Sequence, residues 1–151
     1  MCPGKNVTYV PKDPYNWDEL SDESFDFIIS GNAFEHIEYP WLTIKEIYKK
    51  LKNRGFACIL TPFSLGEHKY PTDCYRYYSD GFAALAKWGG FQIIEVTVGG
   101  IPKGTSDNKW LNPSLNYDDT MMVITKGYSE EELNGFPKLS SCRCVREWRI
   151  K

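Results

Sequence analysis

No apolar run in the 151 residues approaches the ~20 that a membrane-crossing helix needs. The opening Met1-Cys2-Pro3-Gly4-Lys5 has none of the apolar core of a secretory signal. Neither a span nor a leader is expected, and the cytoplasm is the expected compartment. No stretch concentrates basic charge, since 18 Lys and Arg stand against 20 Asp and Glu for a formal net charge of −2. Binding to nucleic acid or to an anionic membrane calls for a basic patch, so neither partner is expected. No C-x-x-C pair occurs among the five cysteines. Cys142 and Cys144 make a single C-x-C with no second cluster after it, whereas a structural zinc site needs four ligands. The thiols read as reduced, and no metal is expected.

The chain does hold enough apolar material for one domain, with 42% hydrophobic residues and an aromatic content of 15% that is dense between Tyr70 and Trp88. Asn6–Val10 reads as a short strand stopped by Pro11 and the turn-prone Asp13-Pro14. Phe25–Ser30 is a near-continuous apolar run, the pattern of a strand buried on both faces of a parallel sheet. From Pro40 to Lys52 the apolar positions Trp41, Ile44, Ile47, Tyr48 and Leu51 follow helical spacing, with Lys49, Lys50 and Lys52 in the last turn and Gly55 as the stop. Phe56–Phe63 reads as a second buried strand. A helix capped at Ser79-Asp80 runs to Trp88 and ends at Gly89-Gly90. Phe91–Val98 and Thr120–Thr125 complete the strands, with a long Gly-, Pro- and Asn-rich loop at Gly99–Asp119 between them. A short helix starts near Ser129, and the basic tail from Ser140 has no periodicity. Strands alternating with helices predict an α/β fold with a mostly parallel sheet.

Three successive stretches then stand out: Asp22-Glu23-Ser24-Phe25-Asp26, Phe34-Glu35-His36-Ile37 and Leu51-Lys52-Asn53-Arg54-Gly55. In this order they resemble the middle of class I S-adenosylmethionine-dependent methyltransferases, of the type 11-like kind, although Asn53-Arg54 replaces the family's Pro-Gly. The segment from Glu67-His68-Lys69-Tyr70-Pro71 through Asp73 to Arg76 resembles an insertion found in bacterial members associated with surface-polysaccharide pathways. The resemblance covers about Gly4 to Val96. It implies a Rossmann-like sheet of family order 3-2-1-4-5-7-6, with residues 1–126 as a partial domain and 127–151 as a partly irregular extension. It also implies that Asn6–Val10 is the family's third strand. The family's Gly-rich loop and ribose-binding carboxylate belong to strands 1 and 2, and no G-x-G occurs in this sequence. The chain is therefore expected to begin partway into the domain and to bind S-adenosylmethionine weakly or not at all by itself. Without strands 1 and 2, Phe25–Ser30 becomes an open edge. Either Asn6–Val10 or a second copy of the chain is expected to pair with it.

Site residues follow from the ends of the strands, where ligands bind in such sheets. By resemblance Asp13 lies near the adenine amino group, although Asp13-Pro14 is equally a plain turn. Ser30, Gly31 and Asn32 face the methionine part of the cofactor, or simply end a strand. Glu35 and His36 are neighbours expected to point apart, with only one facing the acceptor. Histidine titrates near ~6.5, which suits His36 and His68 to take a proton from a hydroxyl, although a structural role fits either residue. Asp73 and Arg76 either pair with each other or, with Glu35 and Tyr70, hold the acceptor. The expected reaction is O-methylation of a sugar-like or small polar acceptor. The alternative is a non-catalytic remnant that binds a partner. A glycoside hydrolase would need a second carboxylate in a comparable setting, and the sequence offers none.

Overall fold

The computed structural model describes residues 9–101 and 117–137. Four strands, β1 (Phe25–Gly31), β2 (Leu51–Pro62), β3 (Gln92–Ile101) and β4 (Tyr117–Thr125), form one sheet in the order β1-β2-β4-β3. β1 and β2 are parallel, and β4 runs antiparallel between β2 and β3. Three of the four strands therefore share a direction, and the order is that of family strands 4-5-7-6. The helices are α1 (Pro40–Lys50), α2 (Ser79–Gly89) and the short α3 (Glu130–Asn134).

α1 starts on Pro40, whose missing N–H costs nothing in a first turn, and has no side-chain cap. Ile44, Ile47 and Leu51 are buried as the spacing predicts, but Trp41 stays 41% exposed. Lys50, expected at the solvated helix end, is instead buried. Its Nζ donates to the Leu20 carbonyl at 2.8 Å and to Asp22 Oδ1 at 2.6 Å, which straps the segment before β1 onto the helix. α2 begins on Ser79 itself, so its N-cap is Tyr78, one residue before the expected cap, with no side-chain bond there. It ends on Gly90 at φ +92°, a left-handed position that glycine fills at least cost.

β2 starts five residues before the expected Phe56. The pairing shifts between Phe25↔Leu51 and Phe27↔Phe56, so residues 52–55 bulge. Arg54 adopts φ +64°, and a Cβ on Gly55 would lie 2.9 Å from the Asp26 carbonyl oxygen. The expected Gly99–Asp119 loop is shortened from both ends by β3 and β4, which continue to Ile101 and from Tyr117. Its remainder, and the tail after residue 137, lie outside the described residues.

One face of the sheet carries the core. Ala57, Ile59, Met122 and Ile124 pack there with Ile44, Ile47, Phe82 and Ala86 of the helices. The other face of β1 is open, because Phe25, Phe27 and Ile29 are exposed and only Ile28 packs against the core. The expectation of a strand buried on both faces is thus corrected: both described long helices lie on one side. Of the expected Asn6–Val10 strand, residues 6–8 lie outside the described residues. Tyr9 and Val10 are not in a strand, so they do not cover the β1 edge.

Candidate functional site at the strand ends

β1 and β2 end side by side, and the chain beyond each supplies the unusual side chains. After β1, Asn32 turns at φ +50° while its N–H donates to the Leu60 carbonyl at 2.9 Å. A Cβ built on Gly31 meets no atom within 4 Å, so the strand end borders open space. A 3-10 turn, Phe34–His36, then buries Phe34 and Glu35. After β2, the segment 63–78 loops back over this turn, and the Cys74 and Tyr75 N–H groups both donate to the Glu35 carbonyl, at 2.7 and 3.1 Å.

That clasp brings His68 to His36. Their rings meet edge to face with centroids 5.0 Å apart. His36 Nδ1 lies 2.5 Å from the Thr72 carbonyl oxygen, which can only accept, so Nδ1 carries a proton, and in the neutral imidazole Nε2 keeps its lone pair. The Thr72 hydroxyl returns a bond to the His36 carbonyl at 2.9 Å. Nε2 of His36 comes within 3.6 Å of Glu35 Oε1. Glu35 and His36 therefore do not point apart as expected, because the tie to Thr72 turns the imidazole back over its neighbour. Glu35 is fully buried, and neither carboxylate oxygen has a hydrogen-bond partner. Burial pushes its carboxyl above the usual range, opposed by its own backbone N–H and by the nearby His36, His68 and Arg76.

Asp73 and Arg76 are each other's partners, with Nη1–Oδ1 and Nη2–Oδ2 contacts of 2.6 Å. Arg76 also donates to the carbonyls of Leu65 at 2.8 Å, Gly66 at 2.9 Å and Tyr75 at 2.7 Å. All five guanidinium N–H groups are thereby committed within the loop. Asp73 accepts the His68 backbone N–H at 2.6 Å as well, and the guanidinium holds its carboxyl well below the usual carboxylate range. The pair is the brace that places His68.

The remaining expected site residues separate. Asp13 is exposed and accepts the Tyr15 N–H at 2.8 Å in a local turn. Tyr70 is 84% exposed, just before a cis bond to Pro71. Of the other loop tyrosines, Tyr77 is core, stacked on Phe82 with centroids 4.6 Å apart, and burial raises its hydroxyl pKa. Tyr75 is part-buried with its hydroxyl on the Glu38 carbonyl, and Tyr78 is exposed. Thr72 and the carbonyls of Leu65 and Gly66 have no side-chain signature that singles them out in sequence. Among the described helices none is long and apolar enough to cross a membrane.

A family model for the methyltransferase domain matches residues 2–59. No curated protein matches the chain in sequence. Solved structures do match. A SAM-dependent methyltransferase from Archaeoglobus fulgidus is 15% identical with a TM-score of 0.59, over 81% of this chain and 69% of that one. One from Methanosarcina mazei is 12% identical with a TM-score of 0.56, over 78% of this chain and 66% of that one. Phosphoethanolamine N-methyltransferase 2 of Haemonchus contortus, solved with S-adenosyl-L-methionine, is 17% identical with a TM-score of 0.53, over 77% of this chain and 36% of that one. At such identities the likeness is one of fold.

Proposed function

We propose that this chain is a class I S-adenosylmethionine-dependent methyltransferase and that it methylates a hydroxyl of a sugar-like or small polar acceptor. The observation that carries the reading is the meeting of His36 and His68 beyond the carboxyl ends of β1 and β2, the edge where open α/β sheets bind ligands. The open space at Gly31 fits the close approach of a cofactor. Ser30, Gly31 and Asn32 would hold its methionine part, and Asp13 would accept from its adenine amino group. S-adenosylmethionine supplies a methyl group already activated on a sulfonium.

The chain's own residues then align the acceptor and take its proton. With the cofactor bound, its methyl group would go to the acceptor oxygen and the hydroxyl proton would pass to the imidazole of His68 or His36. His68 is the better placed base, since its side chain is 37% exposed against 18% for His36. Asp73 and Arg76 position His68 rather than grip the acceptor, because the guanidinium has no donor left. Tyr70 is the exposed ring available to lie against a sugar face, and Glu35 lies under the acceptor position. Among the described residues no strand pairs with the outer edge of β1, which suits a second copy of the chain, a point that sedimentation would test.

The test is transfer of labelled methyl from millimolar S-adenosylmethionine to a panel of free sugars, uronates and nucleotide sugars. His68→Ala is expected to lower kcat about 10²-fold while the Kd for S-adenosylmethionine stays within about twofold. The rival reading, a non-catalytic binding module, takes its support from the absence of any G-x-G in the sequence. Saturable cofactor binding with no transfer to any hydroxyl would favour that rival.

A further inference from the structure

Glu35, His36 and His68 place one carboxylate oxygen and one nitrogen of each imidazole within 4.8 Å of one another. The protonation of both rings follows from their neighbours. Nδ1 of His36 donates to the Thr72 carbonyl. Nδ1 of His68 lies 3.2 Å from both the Gly66 carbonyl oxygen and Arg76 Nη2. Nη2 already spends its two hydrogens on the Gly66 carbonyl and Asp73 Oδ2, so it has none for the imidazole. Nδ1 of His68 is therefore the donor, to Gly66. Both imidazoles hold Nδ1–H on a backbone carbonyl and keep Nε2 as an acceptor, the way ligating histidines are oriented.

Glu35 adds two more acceptor oxygens, fully buried and without a hydrogen-bond partner. With both imidazoles neutral and the carboxyl ionised, the three residues bring acceptors together with no donor among them. A buried carboxylate in that position is relieved by a proton or by a cation, and two neutral imidazoles beside it suit a cation.

We propose that Glu35, His36 and His68 bind a divalent transition-metal cation of the zinc class. Two imidazoles and one carboxylate suit such an ion, and this donor set leaves coordination positions open. The 3.6 Å between Glu35 Oε1 and His36 Nε2 is close to the ~3.4 Å between ligands of a tetrahedral site with bonds of about 2.1 Å. The ligand atoms lie within 4.8 Å of one another, so the set closes to the ~3.4 Å of bound ligands by a shift of about 1–1.5 Å. The metal site stands on this geometry alone. Its consequence rests on the methyl-transfer reading: an acceptor hydroxyl in an open position would have its pKa lowered by the cation, which takes over the part of the free imidazoles.

The test is calorimetric titration of the chelator-stripped chain with ZnCl₂, together with the optical spectrum of the Co²⁺ form. The expected result is one equivalent bound with micromolar or tighter affinity, weakened about tenfold or more in His68→Ala. Affinity should be unchanged in the Cys142→Ser/Cys144→Ser variant, and the Co²⁺ spectrum should carry ligand-field bands without thiolate charge transfer. Absence of saturable binding, undiminished affinity in His68→Ala, or loss of binding in the cysteine variant would each overturn the proposal. If His68→Ala does not fold by circular dichroism, the Co²⁺ spectrum of the unaltered chain decides, since thiolate charge transfer places the ion elsewhere. Metal binding with no methyl transfer would sink the proposed function and leave the site.

Discussion

Arg76 grips both oxygens of Asp73 at 2.6 Å while its remaining N–H groups close on the carbonyls of Leu65, Gly66 and Tyr75. Asp73 in turn accepts the backbone N–H of His68. One ion pair therefore fixes the path of the loop after β2 and the place of the imidazole at its tip.

Breaking that pair is expected to be costly, because Asp73 is only 2% exposed and would keep a buried, unpaired charge. Arg76→Ala should destabilise the chain by about 3 kcal/mol, read from the urea midpoint. Arg76→Lys should recover little, since an ammonium cannot reproduce the planar fork. A midpoint for Arg76→Ala within experimental error of the parent would remove the brace from the account.

Arg54 holds a left-handed backbone at φ +64°, pairs with Glu132 at 2.7 Å and lies 4.1 Å from the Tyr128 ring centroid. Alanine would lose those contacts and keep the strain, whereas glycine would lose only the contacts. Arg54→Gly is expected to be more stable than Arg54→Ala by about 1 kcal/mol. Equal stabilities in denaturant melts would argue against a left-handed residue there.

The same ion pair and the Ser129 N–H draw the Glu132 carboxyl down to about 2. A carboxyl whose folded value is depressed contributes stability above its ordinary range and loses it as pH falls through the folded value. α3 is therefore expected to loosen between about pH 4.5 and 2. The loosening should be modest and salt-sensitive, because both partners are exposed. Amide exchange at Leu133 and Phe136, whose N–H groups bond to the Ser129 and Leu133 carbonyls, reports it. Protection independent of pH across that window would contradict the assignment.

Cofactor affinity is the fourth expectation. The sequence contains no G-x-G, the backbone element that the family uses against the methionine part. Loss of two charge-assisted hydrogen bonds at about 1.5–3 kcal/mol each weakens binding by at least about two orders of magnitude. Calorimetry with S-adenosylmethionine should find binding weaker than low micromolar, and a low-micromolar Kd would show that another part of the chain supplies those contacts.

Much of the fold is legible in local pattern. Helical spacing places Ile44, Ile47 and Leu51 on one buried face, and Ser129 with Glu132 forms the capping box that starts α3. The apolar runs mark β1 to β4 because strand and helix periodicities are properties of neighbouring residues. Contacts between distant residues are not written in any such period. That Lys50 turns inward to Leu20 and Asp22, that Phe27 and Ile29 face solvent, and that residues 52–55 bulge depend on what the rest of the chain packs against them. The site divides the same way. Its residue types were readable as candidates, since Glu35, His36, His68, Asp73 and Arg76 are the chemistry-bearing groups beyond the strand ends. Which of them meet was decided in three dimensions, where the Cys74 and Tyr75 amides seize the Glu35 carbonyl and carry His68 onto His36. Backbone N–H groups made that choice, and every residue type but proline carries them.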